Sequence, residues 1–99
     1  MKINGKASPV EGVVSRRWRQ EVITFADAME KKLKENDHKR GWRHMSLQYL
    51  SMRLTQEREE LRRAVEIGDY NTVLQEAADV ANFAMMLADT VKHKTKVAN

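Results

Sequence analysis

The sequence predicts an all-α fold, a helical bundle of three main helices per chain, completed by oligomerisation. Two observations predict it. Leu, Ala, Met, Glu, Lys and Arg dominate a chain of 99 residues with only one Pro and four Gly, a mixture that favours helix. Apolar residues also recur at steps of three and four in three separate stretches, each bounded by cap or stop residues. The length suits one domain, whose core is thin at this size.

Residues 1–14 hold Gly5, Pro9 and Gly12 and read as a flexible N-terminal arm. Residues 15–92 read as the helical domain and 93–99 as a basic C-terminal tail. The first helix is expected from near Ser15, an N-cap residue type. Its apolar stripe is Trp18, Val22, Phe25, Met29 and Leu33, with Arg19, Asp27, Glu30, Lys31 and Lys34 opposite. The pattern fades at residues 35–37, and a loop follows over 38–44. The second helix starts near Met45 or Ser46 and carries Leu47, Leu50, Leu54, Leu61, Ala64 and Val65 on one stripe. Gly68 stops it as a C′ residue. Asp69 or Asn71 caps the third helix, which is expected to run to about Val91. The basic end that follows (Lys92, Lys94, Lys96) suits the helix dipole. Residues 80–88 are apolar almost all the way round, so this helix is expected to be buried on several sides. Two neighbours cover part of it, and a partner subunit is expected to cover the rest.

Several function classes drop out early. Cysteine is absent, which excludes disulfides and thiolate metal sites. No apolar run is long enough to span a bilayer, and the first residues lack a signal-peptide core. A cytoplasmic protein without a membrane partner is therefore expected. The net charge of +4 suits an anionic ligand but is too mild to indicate nucleic acid. His38, His44 and His93 show no helical i,i+4 pairing, so a histidine metal site is not expected.

The chemistry lies in four acids. On the second helix the position after Leu54 on the stripe is Glu57, and the next is Leu61. A carboxylate on an apolar seam is expensive unless it is paired or holds a metal. Glu60 is its neighbour three residues on. The third helix repeats the spacing with Glu76 and Asp79, the latter flanked by Ala77, Ala78, Val80 and Ala81. Asn82 extends that row. Either pair alone reads most simply as a solvated helix surface, as Glu59 does with Arg62 and Arg63. Together they read differently, because Glu57 and Asp79 sit among core residues. Four converging carboxylates repel one another. A hard cation such as Mg²⁺, with Mn²⁺ as a substitute, relieves the conflict and also takes phosphate oxygens.

At these residues the sequence resembles the all-α nucleoside triphosphate pyrophosphohydrolases of the MazG-like superfamily. The resemblance rests on Gln56-Glu57-Arg58-Glu59-Glu60-Leu61, which matches an ExxE element, and Glu76-Ala77-Ala78-Asp79-Val80-Ala81-Asn82, which matches ExxD. It covers roughly residues 24–91. Gln56 stands where many members have a further Glu, which bears on metal number or affinity. The resemblance implies Mg²⁺-dependent hydrolysis of a (deoxy)nucleoside triphosphate to monophosphate and pyrophosphate. It implies Glu57, Glu60, Glu76 and Asp79 as metal ligands and catalytic residues, Asn82 as a ligand-binding residue, and a homodimer or homotetramer.

Residues 31–44 hold six Lys or Arg, with Trp42 among them. Lys39 and Arg40 or Arg43 are candidate phosphate contacts, and Trp42 is a candidate base-stacking surface. A solvated loop with Trp42 as an apolar plug is the plainer alternative. Gly41 is expected to let the backbone turn or approach closely. The rival functions are a non-enzymatic helical nucleotide- or nucleic-acid-binding or regulatory module, and hydrolysis of another pyrophosphate-linked nucleotide.

Overall fold

The computed structural model describes residues 17–98, with side-chain burial to residue 95. These residues form three helices: α1 (Gln20–Glu35), α2 (Leu47–Ile67) and α3 (Tyr70–Ala98), with a 3₁₀ turn at Trp42–His44 and no strand among them. No helix of the described residues is long and apolar enough to cross a membrane.

The turns follow local chemistry. Ser46 caps α2 by accepting a hydrogen bond from the Tyr49 amide at 3.0 Å, satisfying a donor that the first helical turn leaves free. Gly68 ends α2 with φ 86°, a left-handed conformation that costs a side-chain-bearing residue about 1 kcal/mol. Asp69 then opens α3, its carboxylate accepting from the Thr72 amide at 2.9 Å and hydroxyl at 2.8 Å. That pairing holds the Asp69 carboxyl below its ordinary pKa. The two longest helices are thus joined by a turn of a few residues and run antiparallel.

The start of the first helix differs from expectation. Ser15 and residues 1–14 lie outside the described residues. α1 begins at Gln20, with Arg19 extended at its N-cap and no side chain capping it. Trp18 therefore precedes the helix and is exposed, as is Val22, while Ile23, off the expected stripe, is buried. The reason is that α1 has one principal neighbour, α3, so only a narrow band of its surface is covered. α3 also runs further than expected, to Ala98. Nothing between Tyr70 and Ala98 stops it, because that stretch holds no Gly or Pro.

α1 and α2 each pack on α3 and hardly meet each other. Phe25 lies beside Leu74, the Met29 carbonyl meets Asn82, and Trp42 reaches Asp89. These pairings advance together, so α1 runs broadly parallel to α3. Among the described residues the buried apolar side chains are few: Ile23, Leu50, Ala64 and Ala78. Complete burial of Leu50 stabilises by about 2 kcal/mol. The surface pairs of Arg62 with Glu59 and Glu66 are screened by solvent and contribute little. The core therefore decides the fold, and α3 is its centre.

Gly68→Ala is expected to lower unfolding free energy by about 1 kcal/mol. No neighbouring atom would crowd the new methyl, the nearest being the Val65 carbonyl oxygen at 4.0 Å, so the whole loss is backbone strain. Urea denaturation of both proteins measures it, and an unchanged midpoint would refute it.

Candidate metal centre

The antiparallel α2–α3 pair brings three of the four expected acids together. One carboxylate oxygen each from Glu57, Glu76 and Asp79 lies within 4.8 Å of the other two. Glu57 is 5% exposed, as expected for its place on the α2 seam. Glu60 is exposed and outside this group, at the solvent edge beside Glu76.

The electrostatics record the strain. Burial, then the nearby charges of Glu60 and Asp79, raise the pKa values of Glu57 and Glu76. Burial also raises that of Asp79, against the pull of Lys32. Glu57 Oε1 and Glu76 Oε1 are buried with no hydrogen-bond partner. An unpartnered buried acceptor costs about 1–3 kcal/mol. A divalent ion held by these oxygens would satisfy them, and an all-carboxylate donor set fits Mg²⁺ or Mn²⁺.

Two basic side chains are tied into the cluster. Arg53, one turn before Glu57, donates to Glu57 Oε2 at 2.9 Å, and its guanidinium lies 4.9 Å from the centre of the Phe83 ring. Lys32, from α1, places Nζ 3.6 Å from Asp79 Oδ2 and 3.5 Å from Glu35 Oε1. Burial works against the Lys32 charge, but Asp79 and Glu35 outweigh it and hold its pKa above the ordinary value. The spacing of Arg53 and Glu57, four residues apart, was a visible signal for the first pair. Nothing local in the sequence marks the second, which crosses between helices.

Beside the cluster opens a cleft of about 470 Å³ with α3 as its floor and α1, the interhelical loop and α2 as its walls. Glu57, Asp79 and Asn82 line it, and so do Lys39, Arg40 and Trp42 from the loop. Asn82 is buried. It donates from Nδ2 to the Met29 carbonyl at 3.0 Å, fastening α1 to α3, and its Oδ1 has no partner. Trp42 donates from Nε1 to Asp89 Oδ2 at 3.0 Å. Arg43 does not line the cleft. It is exposed and donates from Nε to the same Asp89 oxygen at 3.1 Å. Asp89 was not expected, and its carboxyl is held below its ordinary pKa by Arg43 and then Trp42. Gly41 has an ordinary φ of −65° and open space around it, so neither turning nor close approach requires a glycine there.

Three comparisons place this geometry against known proteins. The chain matches no family model, no curated protein and no solved structure.

The shifted acids set a pH dependence. The folded pKa values of Glu57, Glu76 and Asp79 exceed the ordinary 4.5 for Glu and 3.8 for Asp. Their contribution to stability is therefore fully present below those ordinary values and is lost as pH rises through the folded ones. Glu59, Asp69 and Asp89, with lowered values, act in the opposite sense. A gain in melting temperature on adding Mg²⁺ would separate the two groups, because among the described residues only the cluster brings three carboxylates together. That gain is expected to be large near about pH 7.5 and to shrink toward about pH 5, as protons compete for the same oxygens. An equal gain at both pH values would count against the cluster.

Proposed function

We propose that this chain is a Mg²⁺-dependent nucleoside triphosphate pyrophosphohydrolase, of the MazG-like kind that its ExxE and ExxD elements resemble. The observation that carries the reading is the convergence of Glu57, Glu76 and Asp79, with buried unpartnered oxygens, at one edge of a cleft walled by basic and aromatic side chains. A cleft of about 470 Å³ is within the usual size range for a small-molecule ligand.

Glu57, Glu76 and Asp79 would hold the ion, with Glu60 as the outer carboxylate of the set. Bound there, Mg²⁺ supplies charge neutralisation at the phosphates and acidifies water. The chain's own groups do the rest. Lys39 and Arg40 receive the outer phosphates. Trp42, fixed by Asp89, offers its ring to the base. The buried amide oxygen of Asn82 offers an acceptor to the sugar or base. Water attacks the α-phosphorus, the bond from that phosphorus to the α–β bridging oxygen breaks, and pyrophosphate leaves. The products are the monophosphate, pyrophosphate and one proton. Exposed Lys39 and Arg40, rather than an extended basic face, favour a small anion over nucleic acid.

The reading includes a homodimer or homotetramer. Val65, Ile67 and Tyr70 at the α2–α3 turn are 58, 77 and 66% exposed. Ala84 and Ala88 on the apolar stretch of α3 are exposed too. A second copy covering these surfaces would enlarge a thin core.

The test is a panel of nucleoside and deoxynucleoside triphosphates with Mg²⁺ or Mn²⁺, assayed for pyrophosphate release. Turnover is expected only with metal. Glu57→Gln and Asp79→Asn are expected to lower it by at least about a hundredfold. Both variants remove a charge from the crowded cluster, buried at Glu57 and half-buried at Asp79, and should melt no lower than the parent without metal. Absence of pyrophosphate from every substrate, or full turnover by Glu57→Gln, would overturn the reading.

A further inference from the structure

Arg53 and Lys32 sit where two demands meet. Each is within ion-pair distance of an acid in the cluster, and each also lines the cleft. A divalent ion and an ammonium or guanidinium compete for the same carboxylate oxygens, since both are satisfied by the same negative charge. Two long cationic side chains paired with Glu57 and Asp79 therefore oppose metal uptake unless they have somewhere else to go.

The geometry supplies that alternative. Lys32 is held loosely, at 3.5–3.6 Å from two different carboxylates rather than locked to one. Arg53 lies over the Phe83 ring, 4.9 Å from its centre, and Phe83 lines the same cleft. The ring face lets the guanidinium shift while it stays stacked. Gln56 Oε1 accepts from Arg53 Nη1, a neutral anchor that keeps the guanidinium near the cluster without competing for its charge. Lys39 and Arg40 stand on the cleft wall as well. Once Glu57 and Asp79 neutralise a divalent ion, Lys32, Lys39, Arg40 and Arg53 face only Glu35 and Asp37 in the cleft, a surplus of positive charge. A chain of phosphates matches that surplus.

We infer that Lys32 and Arg53 are exchangeable counter-ions, which neutralise Asp79 and Glu57 until the cluster takes a divalent ion and then turn to the phosphates of a ligand in the cleft. The inference rests on the metal and phosphate reading above and adds two positioning residues to it. Metal uptake and phosphate binding are then coupled through the same two side chains. Phosphates stabilise the released cations, and so favour the metal.

The test uses the full chain and two readings besides activity. Isothermal titration with Mn²⁺ alone measures metal affinity, and titration with the magnesium complex of inorganic triphosphate measures phosphate affinity. Lys32→Met and Arg53→Met keep helix propensity and length while deleting the charge. Each is expected to bind Mn²⁺ about three- to tenfold more tightly and triphosphate about three- to tenfold more weakly. Lys32→Arg and Arg53→Lys are expected to stay near the parent in both. Opposite signs are the signature, because a variant that merely loosens the fold weakens both ligands together. Failure of the parent chain to take up Mn²⁺ would overturn the metal reading and this inference with it. Mn²⁺ uptake by the parent with unchanged or weaker uptake by both Met variants would overturn this inference alone. The variants lie on different helices, so misfolding of one leaves the other to decide.

Discussion

The partial burial of crowded carboxylates between two packed helices is the constraint on which the rest of this structure turns. Glu57, Glu76 and Asp79 bring three negative charges within 4.8 Å. Arg53 and Lys32 supply two positive charges to meet them. Burial still raises the pKa values of all three acids, and two buried oxygens have no partner. A fold with so small a buried core has little stability to spare for such an arrangement. A divalent ion bound there would offset that cost, since oxygen donors of this kind fit a hard cation.

The arrangement of the helices turns that strain into an accessible site. Had α1 packed against both α2 and α3, the space beside the acids would have been filled. Instead α1 and α2 both rest on α3 and leave a cleft between them. Two contacts set its width on the α1 side, the Asn82 hydrogen bond to the Met29 carbonyl and the Lys32–Asp79 pair. Asp89 does the same at the other end, collecting Trp42 and Arg43 on one oxygen. The loop that carries Lys39 and Arg40 is thus pinned at its far end by α3.

Much of this was legible in the sequence, and the illegible part has a physical cause. Ser46, Gly68 and Asp69 announce their turns because caps are local: the residue and its partner lie within a few positions. Glu57 announced itself by sitting on an apolar stripe, and burial bore that out. The start of α1 is illegible because Ser15 is a cap residue type and the apolar spacing runs on through Trp18, whereas the helix begins at Gln20. The end of α3 lies beyond the expected Val91 because the lysines that follow suit a helix end but none of them stops a helix. Lys32 and Asp89 could not be found at all. Their partners come from other helices or the interhelical loop, and a single sequence carries no signal for contacts set by tertiary packing. Arg43 illustrates the converse. Its charge and place suit a phosphate contact, and the structure pairs it with Asp89.

Small residues explain why the acids come so close. Ala64 on α2 is buried against its one principal neighbour, α3, and Ala78, between Glu76 and Asp79 on α3, has no exposed surface. Methyl side chains let two helix backbones approach toward the short end of the usual interaxial range of about 8–10 Å. The oxygens of Glu57, Glu76 and Asp79 lie within 4.8 Å of one another in a partly dry setting, where their charges interact at short range. A leucine at either buried alanine would overpack the contact, at about 1–3 kcal/mol, or spread the helices. Packing therefore favours alanine at both sites, and the crowding of the three acids comes with it.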